Sequence, residues 1–265
     1  MSERPDPFPA YYAALEARHR AELTFAEVRR ALSALSSLYV ERRDGIAAGK
    51  ALEGRGKRAA FALYYGSLHF LLVREIVRAL GLEPPARIVD LGCGTGSAGA
   101  AWALEGRKPA SVAGIDSNGW AVAETRWTLR QLGLQGTATR GDAVAERPSE
   151  RDAGVVAAFT VNELEGASRA RLLERLQAAA RDGAPLLIVE PISRRVSPWW
   201  PVWRDAFLRA GGREDEWRFR PALPESLALL GKAAGLDARE LVGRSLAFSP
   251  QQTMRQGTRL TDERD

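Results

Sequence analysis

Four glycines and an acid are concentrated in the segment RIVDLGCGTGSAG, residues 87–99. The acid is Asp90, and it is followed by Gly92, Gly94, Gly96 and Gly99. A strand that enters a glycine-rich turn and then a helix presents backbone N–H groups with no Cβ in front of them. Such turns bind anionic or nucleotide-bearing ligands in α/β folds, so the segment predicts a ligand site of that kind.

Two ligand classes fit this spacing. Gly94, Gly96 and Gly99 match G-x-G-x-x-G, the dinucleotide pattern, which is a weak indication by itself. With Asp90 included, the segment is D-x-G-x-G-x-G. A carboxylate beside the turn repels a pyrophosphate but suits the ammonium of an amino-acid ligand such as S-adenosylmethionine. Asp90 therefore favours S-adenosylmethionine over NAD.

Two more acids follow predicted strands. Asp116, next to Ser117 in GIDSN, lies at about the interval where an acid meets ribose hydroxyls in nucleotide-binding folds. This position alone fits NAD and S-adenosylmethionine equally. Asp142 in RGDA is placed to accept a hydrogen bond from the exocyclic amine of an adenine, while Ala143 offers its backbone N–H.

These motifs, in this order and each at a predicted strand end, resemble the class I S-adenosylmethionine-dependent methyltransferases over about residues 60–190. The resemblance implies a Rossmann-like sheet and S-adenosylmethionine as the cofactor. It implies that the glycine turn, with Cys93, lies beside the methionine part. It also implies that Asp116 binds the ribose and that Asp142 lies near the adenine.

A narrower resemblance is carried by KRAAFALYYGSLHFLLVREI, AFTVNEL, LLIVEP and EWRFRPALPESL. These segments are similar to the methyltransferase-like proteins associated with the small ribosomal subunit. Those proteins typically add cysteines that hold an iron–sulfur cluster. This chain has one cysteine, Cys93, so it departs from the pattern and no cluster is expected.

The end of the fourth predicted strand, AGVVAAFTVNEL, supplies the candidate catalytic residues. We expect Phe159 and Thr160 beside the cofactor. Asn162 and Glu163 lie where a methyl acceptor would approach and are candidates to orient or deprotonate a nucleophile. Alternatively, Asn162 caps the next helix and Glu163 favours its positive end. In-line alignment of nucleophile, methyl and sulfur also accelerates transfer without any base.

Aromatic residues flank the predicted site. Tyr65 and His69 lie on a helix before the first strand, where they either line the cofactor cleft or belong to the core. Trp199 and Trp200 follow the fifth strand, beside Arg194 and Arg195. This grouping predicts either a lid that stacks on a planar substrate or simple packing.

The elements that position these residues follow from periodicity. Apolar residues three and four apart predict two helices over 11–43, broken near Leu23–Thr24, and a long helix over 61–82, with a basic loop at 45–58 between them. From Arg87, short β-rich runs alternate with helical stretches, which indicates a parallel sheet with crossover helices. Two later runs, near Trp217–Arg220 and Ser245–Ser249, predict an antiparallel pair at the sheet edge. We therefore predict an α/β methyltransferase sheet over 83–250, an insertion around 192–222, an N-terminal helical region over 1–82 and a polar tail over 251–265.

Composition narrows the classes of protein. The 265 residues are 45% apolar and 27% charged, which is ordinary for a soluble globular chain. One cysteine excludes a disulfide framework, and with only His19 and His69 as histidines no metal site is expected. The N-terminus lacks the apolar core of a signal peptide, and no apolar run approaches the roughly 20 residues of a membrane span. We expect a cytoplasmic protein with no membrane segment.

The sequence leaves the identity of the methyl acceptor open. A net charge of +5, the basic loop at 45–58 and the narrower resemblance favour RNA or the small ribosomal subunit. A small-molecule acceptor, enclosed by the helices and tryptophans, is the alternative enzyme. A non-catalytic assembly factor that binds S-adenosylmethionine and the ribosome is the third hypothesis. The sequence does not specify the acceptor atom or the oligomeric state.

Overall fold

Within the residues described by the computed structural model, 5–41, 52–145, 153–193 and 197–250, the fold is built on one seven-stranded sheet. Its order is β3-β2-β1-β4-β5-β7-β6. The first five strands pair in parallel, and β7 runs antiparallel between β5 and β6. The strands are β1 (Arg87–Leu91), β2 (Ser111–Asp116), β3 (Gly136–Arg140), β4 (Ala153–Ala158), β5 (Leu186–Glu190), β6 (Arg213–Phe219) and β7 (Leu241–Phe248). The predicted Rossmann-like α/β class is confirmed.

Helices connect the strands and form the N-terminal region. They are α1 (Phe8–His19), α2 (Phe25–Glu41), α3 (Arg55–Leu80), α4 (Ser97–Leu104), α5 (Gly119–Gln131), α6 (Gly166–Arg181), α7 (Trp200–Arg209) and α8 (Glu225–Ala233). A short 3-10 turn, Val161–Glu163, follows β4. The predicted break near Leu23–Thr24 separates α1 from α2, and the helical character of the N-terminal region is confirmed.

The sheet has an apolar layer on each face because successive strand residues point to opposite sides. Ile88 and Val156 belong to a cluster with α1, α3 and α4. Their neighbours Val89 and Val155 belong to a second cluster with α6 and α7. The crossover helices are therefore held on both faces, and the carboxyl ends of β1 to β5 are left at one edge, where the site residues lie.

The long helix α3 departs from the prediction at its start. It begins at Arg55, so the last part of the predicted basic loop is helical, while residues 42–51 lie outside the described residues. Gly54, with φ +88°, precedes the helix, and a Cβ on Gly56 would lie 3.2 Å from Cβ of Ala31 in α2. The positive φ of Gly54 and the close packing of Gly56 on α2 explain the two glycines at this helix start.

By length and composition α3 is also apolar enough to cross a membrane. The sequence analysis did not identify this segment. However, 72% of its most apolar window is buried inside the protein. It packs as a core helix, with the ring of Phe70 stacked 5.1 Å from that of Phe8 in α1. A helix buried in this way needs no membrane to explain its apolar character.

The N-terminal helices are fixed to the methyltransferase-like sheet by polar contacts as well. Glu124 of α5, fully buried, lies 2.7 Å from Nε2 of His19 and 3.0 Å from the Arg18 guanidinium.

At the other end of the chain, part of the predicted insertion at 192–222 forms the edge strand β6, antiparallel to β7. The predicted polar tail, 251–265, lies outside the described residues.

Candidate active site

The glycine turn follows β1 at the point where the strand order changes direction, between β1 and β4. Open α/β sheets bind ligands in the crevice at such a point. Gly92, Gly94 and Gly96 have φ of +67°, +54° and +76°, which other residues adopt only with strain. A Cβ on Gly92 would lie 2.4 Å from Cγ2 of Thr160, so the turn is pressed against the end of β4.

Asp116 ends β2 and holds the turn from its other side. Its Oδ2 accepts a hydrogen bond from the Gly94 N–H at 2.9 Å, and its Oδ1 accepts from the Asn118 N–H at 2.8 Å. Each carboxylate oxygen accepts more than one hydrogen bond, so both remain able to accept from ribose hydroxyls. The adjacent Ser117 is exposed. This arrangement is compatible with the predicted ribose contact.

Asp90 is buried more deeply than a residue that contacts a ligand at the surface. It is 1% exposed, and its Oδ2 accepts a hydrogen bond from the Gly99 N–H in the first turn of α4 at 2.8 Å. Burial raises the pKa of Asp90 to about 7; the Gly99 hydrogen bond opposes this shift and the Asp116 charge adds to it. Asp90 therefore fixes α4 beneath the turn, and direct contact with the cofactor stays a prediction.

Cys93 is a buried structural residue of the turn. Its sulfur accepts a hydrogen bond from the Thr125 hydroxyl at 3.2 Å. Burial raises the pKa of the Cys93 thiol well above its usual value, which keeps it protonated. Because the thiolate is the reactive form, this environment does not favour a nucleophile.

The loop after β3 lies beside Asp116, since the Gly141 N–H donates to the Asp116 carbonyl oxygen at 3.0 Å. Asp142 is exposed, and its Oδ1 accepts from the Val144 N–H at 2.8 Å. Ala143 is half-buried against the second apolar cluster. The structure thus brings this loop to the same edge as the glycine turn, and the adenine contact stays a prediction.

The end of β4 carries backbone strain and a polar anchor. Phe159 has φ +58°, and among the described residues it is the one non-glycine residue with positive φ. The Thr160 hydroxyl lies 3.1 Å from the Leu91 carbonyl oxygen and 3.3 Å from that of Gly92, which joins β4 to β1. Strained residues cluster where function requires a particular geometry.

An aromatic wall from α3 faces these strand ends. The His69 ring stacks on the Phe159 ring, with centroids 3.7 Å apart and planes 11° apart. Phe61 presents an edge to His69 and approaches the Cβ position of Gly94 to 3.8 Å. Tyr65 lies beside both, with its ring 6.1 Å from that of Phe61. Tyr65 and His69 thus lie beside the glycine turn and the end of β4, and their contact with a substrate stays a prediction.

The wall is formed by a π-helical turn, Phe61–Gly66, inside α3. Such turns are frequent at functional sites. A Cβ on Gly66 would lie 2.6 Å from Oγ1 of Thr95, so the turn packs directly on the glycine loop. Sequence analysis missed Phe61 and also Trp120, whose ring meets the Phe61 edge at 6.3 Å. Helical periodicity alone did not distinguish them from core residues.

The side chain of Asn162 is held by three hydrogen bonds within the protein, and its predicted catalytic role stays a prediction. Its Nδ2 donates to Oε2 of Glu190 at 2.6 Å, and its Oδ1 accepts from Ser197 and Trp199, both at 2.8 Å. Both ends of the amide are therefore engaged within the protein, and Asn162 positions the segment that follows β5. It does not cap the next helix either, since the N-cap of α6 is Glu165.

Glu190, at the end of β5, is a buried partner that sequence analysis missed. Its Oε1 accepts from the Val161 N–H at 2.8 Å, and burial raises its pKa to about 8. Its signal in the sequence was an acid that ends the apolar strand LLIVE. Buried acids of this kind are functional-site candidates.

Glu163 keeps its place as the candidate base. Glu163 is an exposed residue of the short 3-10 turn after β4. Partial desolvation of its carboxyl raises the pKa of Glu163 to about 7, and the charge of Asp116 adds to the shift. A carboxyl with a pKa near neutrality is suited to proton transfer.

The two tryptophans after β5 have different environments. Trp199 is half-buried and donates to Asn162, so it borders the site. Trp200 is 2% exposed, donates to Glu214 at 2.5 Å and lies 3.9 Å from the Arg244 guanidinium. The predicted substrate contact of Trp200 is corrected because the ring packs in the core. Arg194 and Arg195 lie outside the described residues.

Among the described residues, no group of three or more His, Cys, Asp or Glu side chains is arranged to hold a metal ion. The carboxyl groups at the strand ends instead converge on the glycine turn. Such a set suits a cationic ligand with hydroxyl groups and disfavours the pyrophosphate of a dinucleotide.

Comparisons with known proteins agree with this geometry. Residues 88–183 match the family model of a methyltransferase domain. Ribosomal RNA small subunit methyltransferase C from Chromohalobacter salexigens is 30% identical over 153 residues, which are 56% of this chain and 44% of that protein. The chain thus spans less than half the length of this curated relative.

The chain is also similar to solved structures. The mitomycin 7-O-methyltransferase MmcR superposes with a TM-score of 0.53 at 15% identity, over 92% of this chain and 73% of that one. An S-adenosylmethionine-dependent methyltransferase from Thiobacillus denitrificans, in complex with S-adenosyl-L-homocysteine, aligns with a TM-score of 0.44 at 18% identity, over 67% and 90% of the two chains. The MmcR superposition extends from the sheet into the N-terminal helices.

Proposed function

Because the chain carries a class I, S-adenosylmethionine-dependent methyltransferase domain at residues 88–183, we propose that it transfers a methyl group from this cofactor to an RNA acceptor. The observation that carries the proposal is the grouping of Asp90, Asp116 and Glu163 at the carboxyl ends of β1, β2 and β4. Asp116 accepts a hydrogen bond from the Gly94 N–H of the glycine turn, and its charge raises the pKa of both Asp90 and Glu163. A ligand with a sulfonium, an ammonium and vicinal hydroxyls complements this negative site.

The residues present fit the cofactor. The methionine part is proposed to lie beside Gly94, where the Phe61 ring borders the turn 3.8 Å from the Cβ position, and Asp116 provides acceptors for the ribose. Asp142 and Ala143 are placed for the adenine. When bound, the cofactor supplies an electrophilic methyl group, and the protein aligns the acceptor with it.

Glu163 is proposed to receive the proton that the acceptor loses. The carboxyl stands at the cleft mouth on the turn after β4, and Asn162 holds that turn to β5 through Glu190. Trp199, fixed by the same amide, borders the approach. The Asn162 amide therefore positions both Glu163, the proposed base, and Trp199.

The pH dependence of methyl transfer tests this role. Glu163 is ionised above a pH of about 7 and protonated below it, so kcat/KM should rise with pH through that value and then level off. Glu163→Gln should lower the plateau by about 100-fold or more and abolish the rise. The assay is transfer of a labelled methyl group from S-adenosylmethionine to deproteinised small-subunit ribosomal RNA.

Glu165→Gln is the matched control, because it removes an exposed carboxyl two residues away. It should leave both the rate and the profile unchanged. A Glu163→Gln variant that keeps the parent profile would assign the proton to another group or to solvent.

Three observations support RNA as the acceptor. The net charge is +5, and the curated relative named above acts, by its name, on ribosomal RNA. Basic residues also begin α3 at the edge of the aromatic wall: Arg55, Lys57 and Arg58, with the Arg58 guanidinium 5.9 Å from the Trp120 ring centre. These cations are placed to contact phosphates while a base enters the cleft.

Charge reversal tests the RNA contact. The triple variant Arg55→Glu, Lys57→Glu, Arg58→Glu should weaken RNA binding across many sequences, because phosphate contacts carry little sequence information. Each lost phosphate contact should also reduce the slope of log affinity against log salt by about 0.7–0.9. Fluorescence anisotropy with labelled RNA from 50 to about 200 mM salt measures both effects.

The matched control reverses an equal charge at the far edge of the sheet, with Arg218→Glu, Arg220→Glu and Arg239→Glu. These arginines are exposed near β6 and β7. The control should bind RNA like the parent, and both variants should keep S-adenosylmethionine affinity. Equal losses in both triples would indicate general charge attraction, and a parent that ignores RNA at low salt would direct the search to small-molecule acceptors.

A further inference from the structure

We infer that the stacked rings of His69 and Phe159 form an uncharged aromatic surface that recognises the sulfonium of the bound cofactor, an inference that rests on the proposed function. The surface is distinct from the acidic groups that serve the ribose and ammonium. Four observations carry it: the location of the pair, the strain in Phe159, the state of His69, and the enclosure by neighbouring rings.

The location follows from the sheet. The ligand crevice lies between the carboxyl ends of β1 and β4. Asp116 occupies the β2 side of the glycine turn, and Phe159 immediately precedes Thr160, whose hydroxyl contacts the carbonyls of β1. Asp116 and Phe159 therefore border the same crevice from its β2 and β4 sides, and a cofactor with its ribose at Asp116 would have Phe159 available for its sulfur.

The backbone of Phe159 is held in a conformation that a bulky side chain normally avoids. Its φ is +58°, while its N–H donates to the Val189 carbonyl oxygen at 2.8 Å. That hydrogen bond keeps the residue in register with β5, and the positive φ turns the chain out of the strand. The strained residue is thus the one that meets the ring of His69, which places the strain at the crevice.

His69 is neutral in this setting. The imidazole is flanked by aromatic rings, and burial lowers its pKa to about 3. A protonated imidazole would repel a sulfonium, whereas a neutral ring presents a negative π face to a cation. The two rings cover one face of each other at 3.7 Å, so the stack is one rigid unit that offers a cation the outer face of a ring.

The neighbouring rings limit solvent at the pair. Phe61 meets His69 edge-on at 85°, and Tyr65 lies 6.3 Å from His69. The Tyr65 hydroxyl is hydrogen-bonded to Ser36, which fixes the ring from α2. Attraction between a cation and an aromatic ring strengthens when water is excluded, so this enclosure favours the cation over an uncharged thioether.

The test compares S-adenosylmethionine, which carries the sulfonium, with S-adenosylhomocysteine, which has a neutral sulfur. Isothermal titration calorimetry on the full chain gives both dissociation constants. Phe159→Leu and His69→Leu should each weaken S-adenosylmethionine by about 3- to 30-fold, the range for an aromatic contact with a cation. S-adenosylhomocysteine should change by less than about 2-fold.

Three controls separate recognition from structure. His69→Phe and Phe159→Tyr keep the rings and should restore the parent ratio of the two affinities. Phe70→Leu removes a ring from the core one position along α3 and should leave the ratio unchanged. Equal losses for both ligands in the leucine variants would overturn the inference. A folded parent that binds neither ligand would overturn the proposed function itself, and His69→Leu carries the test if Phe159→Leu does not fold.

Discussion

Replacing Asp116 with alanine is expected to lower the affinity for S-adenosylmethionine by about 10- to 150-fold. The ribose would lose hydrogen bonds to a charged acceptor, which contribute about 1.5–3 kcal/mol. The Gly94 N–H would also lose its acceptor at 2.9 Å, so the turn would lose one of its anchors. Calorimetric titration of parent and variant measures the change, with NAD as a second ligand that should not bind the parent.

Asp142→Ala is the matched control for this effect. It removes an exposed carboxylate from the neighbouring loop, whose Oδ1 accepts a hydrogen bond from the Val144 N–H. We expect a smaller loss than for Asp116→Ala, because an exposed adenine contact competes with water. Unchanged affinity in Asp116→Ala would place the ribose elsewhere, and tight NAD binding by the parent would assign the turn to a dinucleotide.

The parts of this site that sequence reasoning recovered depend on local order along the chain. Asp116 and the glycine turn each follow a short apolar run, and parallel strands bring such ends to one edge of a sheet. The antiparallel β6–β7 pair was predicted from two short β-like runs in the same way. Knowledge of which segments are strands was therefore sufficient to place these residues.

The parts that it missed depend on distant partners. Asn162 is bonded to Glu190, Ser197 and Trp199, which are 28 to 37 positions away, and no local pattern reveals that its amide is already engaged. Trp200 was grouped with Trp199 because the two are adjacent. On a helix their side chains point in different directions, so one meets the site and the other meets Arg244 in the core.

A large effect on stability is expected at Gly92. An alanine there must adopt φ near +67° and place its Cβ 2.4 Å from Cγ2 and 2.5 Å from Oγ1 of Thr160. The conformation costs about 1–2 kcal/mol, and the overlap adds about 1–3 kcal/mol. We expect Gly92→Ala to lower the free energy of unfolding by about 2–5 kcal/mol, measured by urea denaturation followed by circular dichroism.

Gly133→Ala provides the matched control, since Gly133 has φ +66° and nothing lies within 4 Å of its Cβ position. It should show the conformational cost alone, about 1–2 kcal/mol. Thr160→Ala removes both atoms that the Gly92 methyl group would meet. The double variant Gly92→Ala, Thr160→Ala should therefore lose less unfolding free energy than the two single variants lose together. If the two costs simply add, Thr160 does not confine the turn. If they couple, the contact between β1 and β4 that closes the floor of the crevice is the one that demands glycine at position 92.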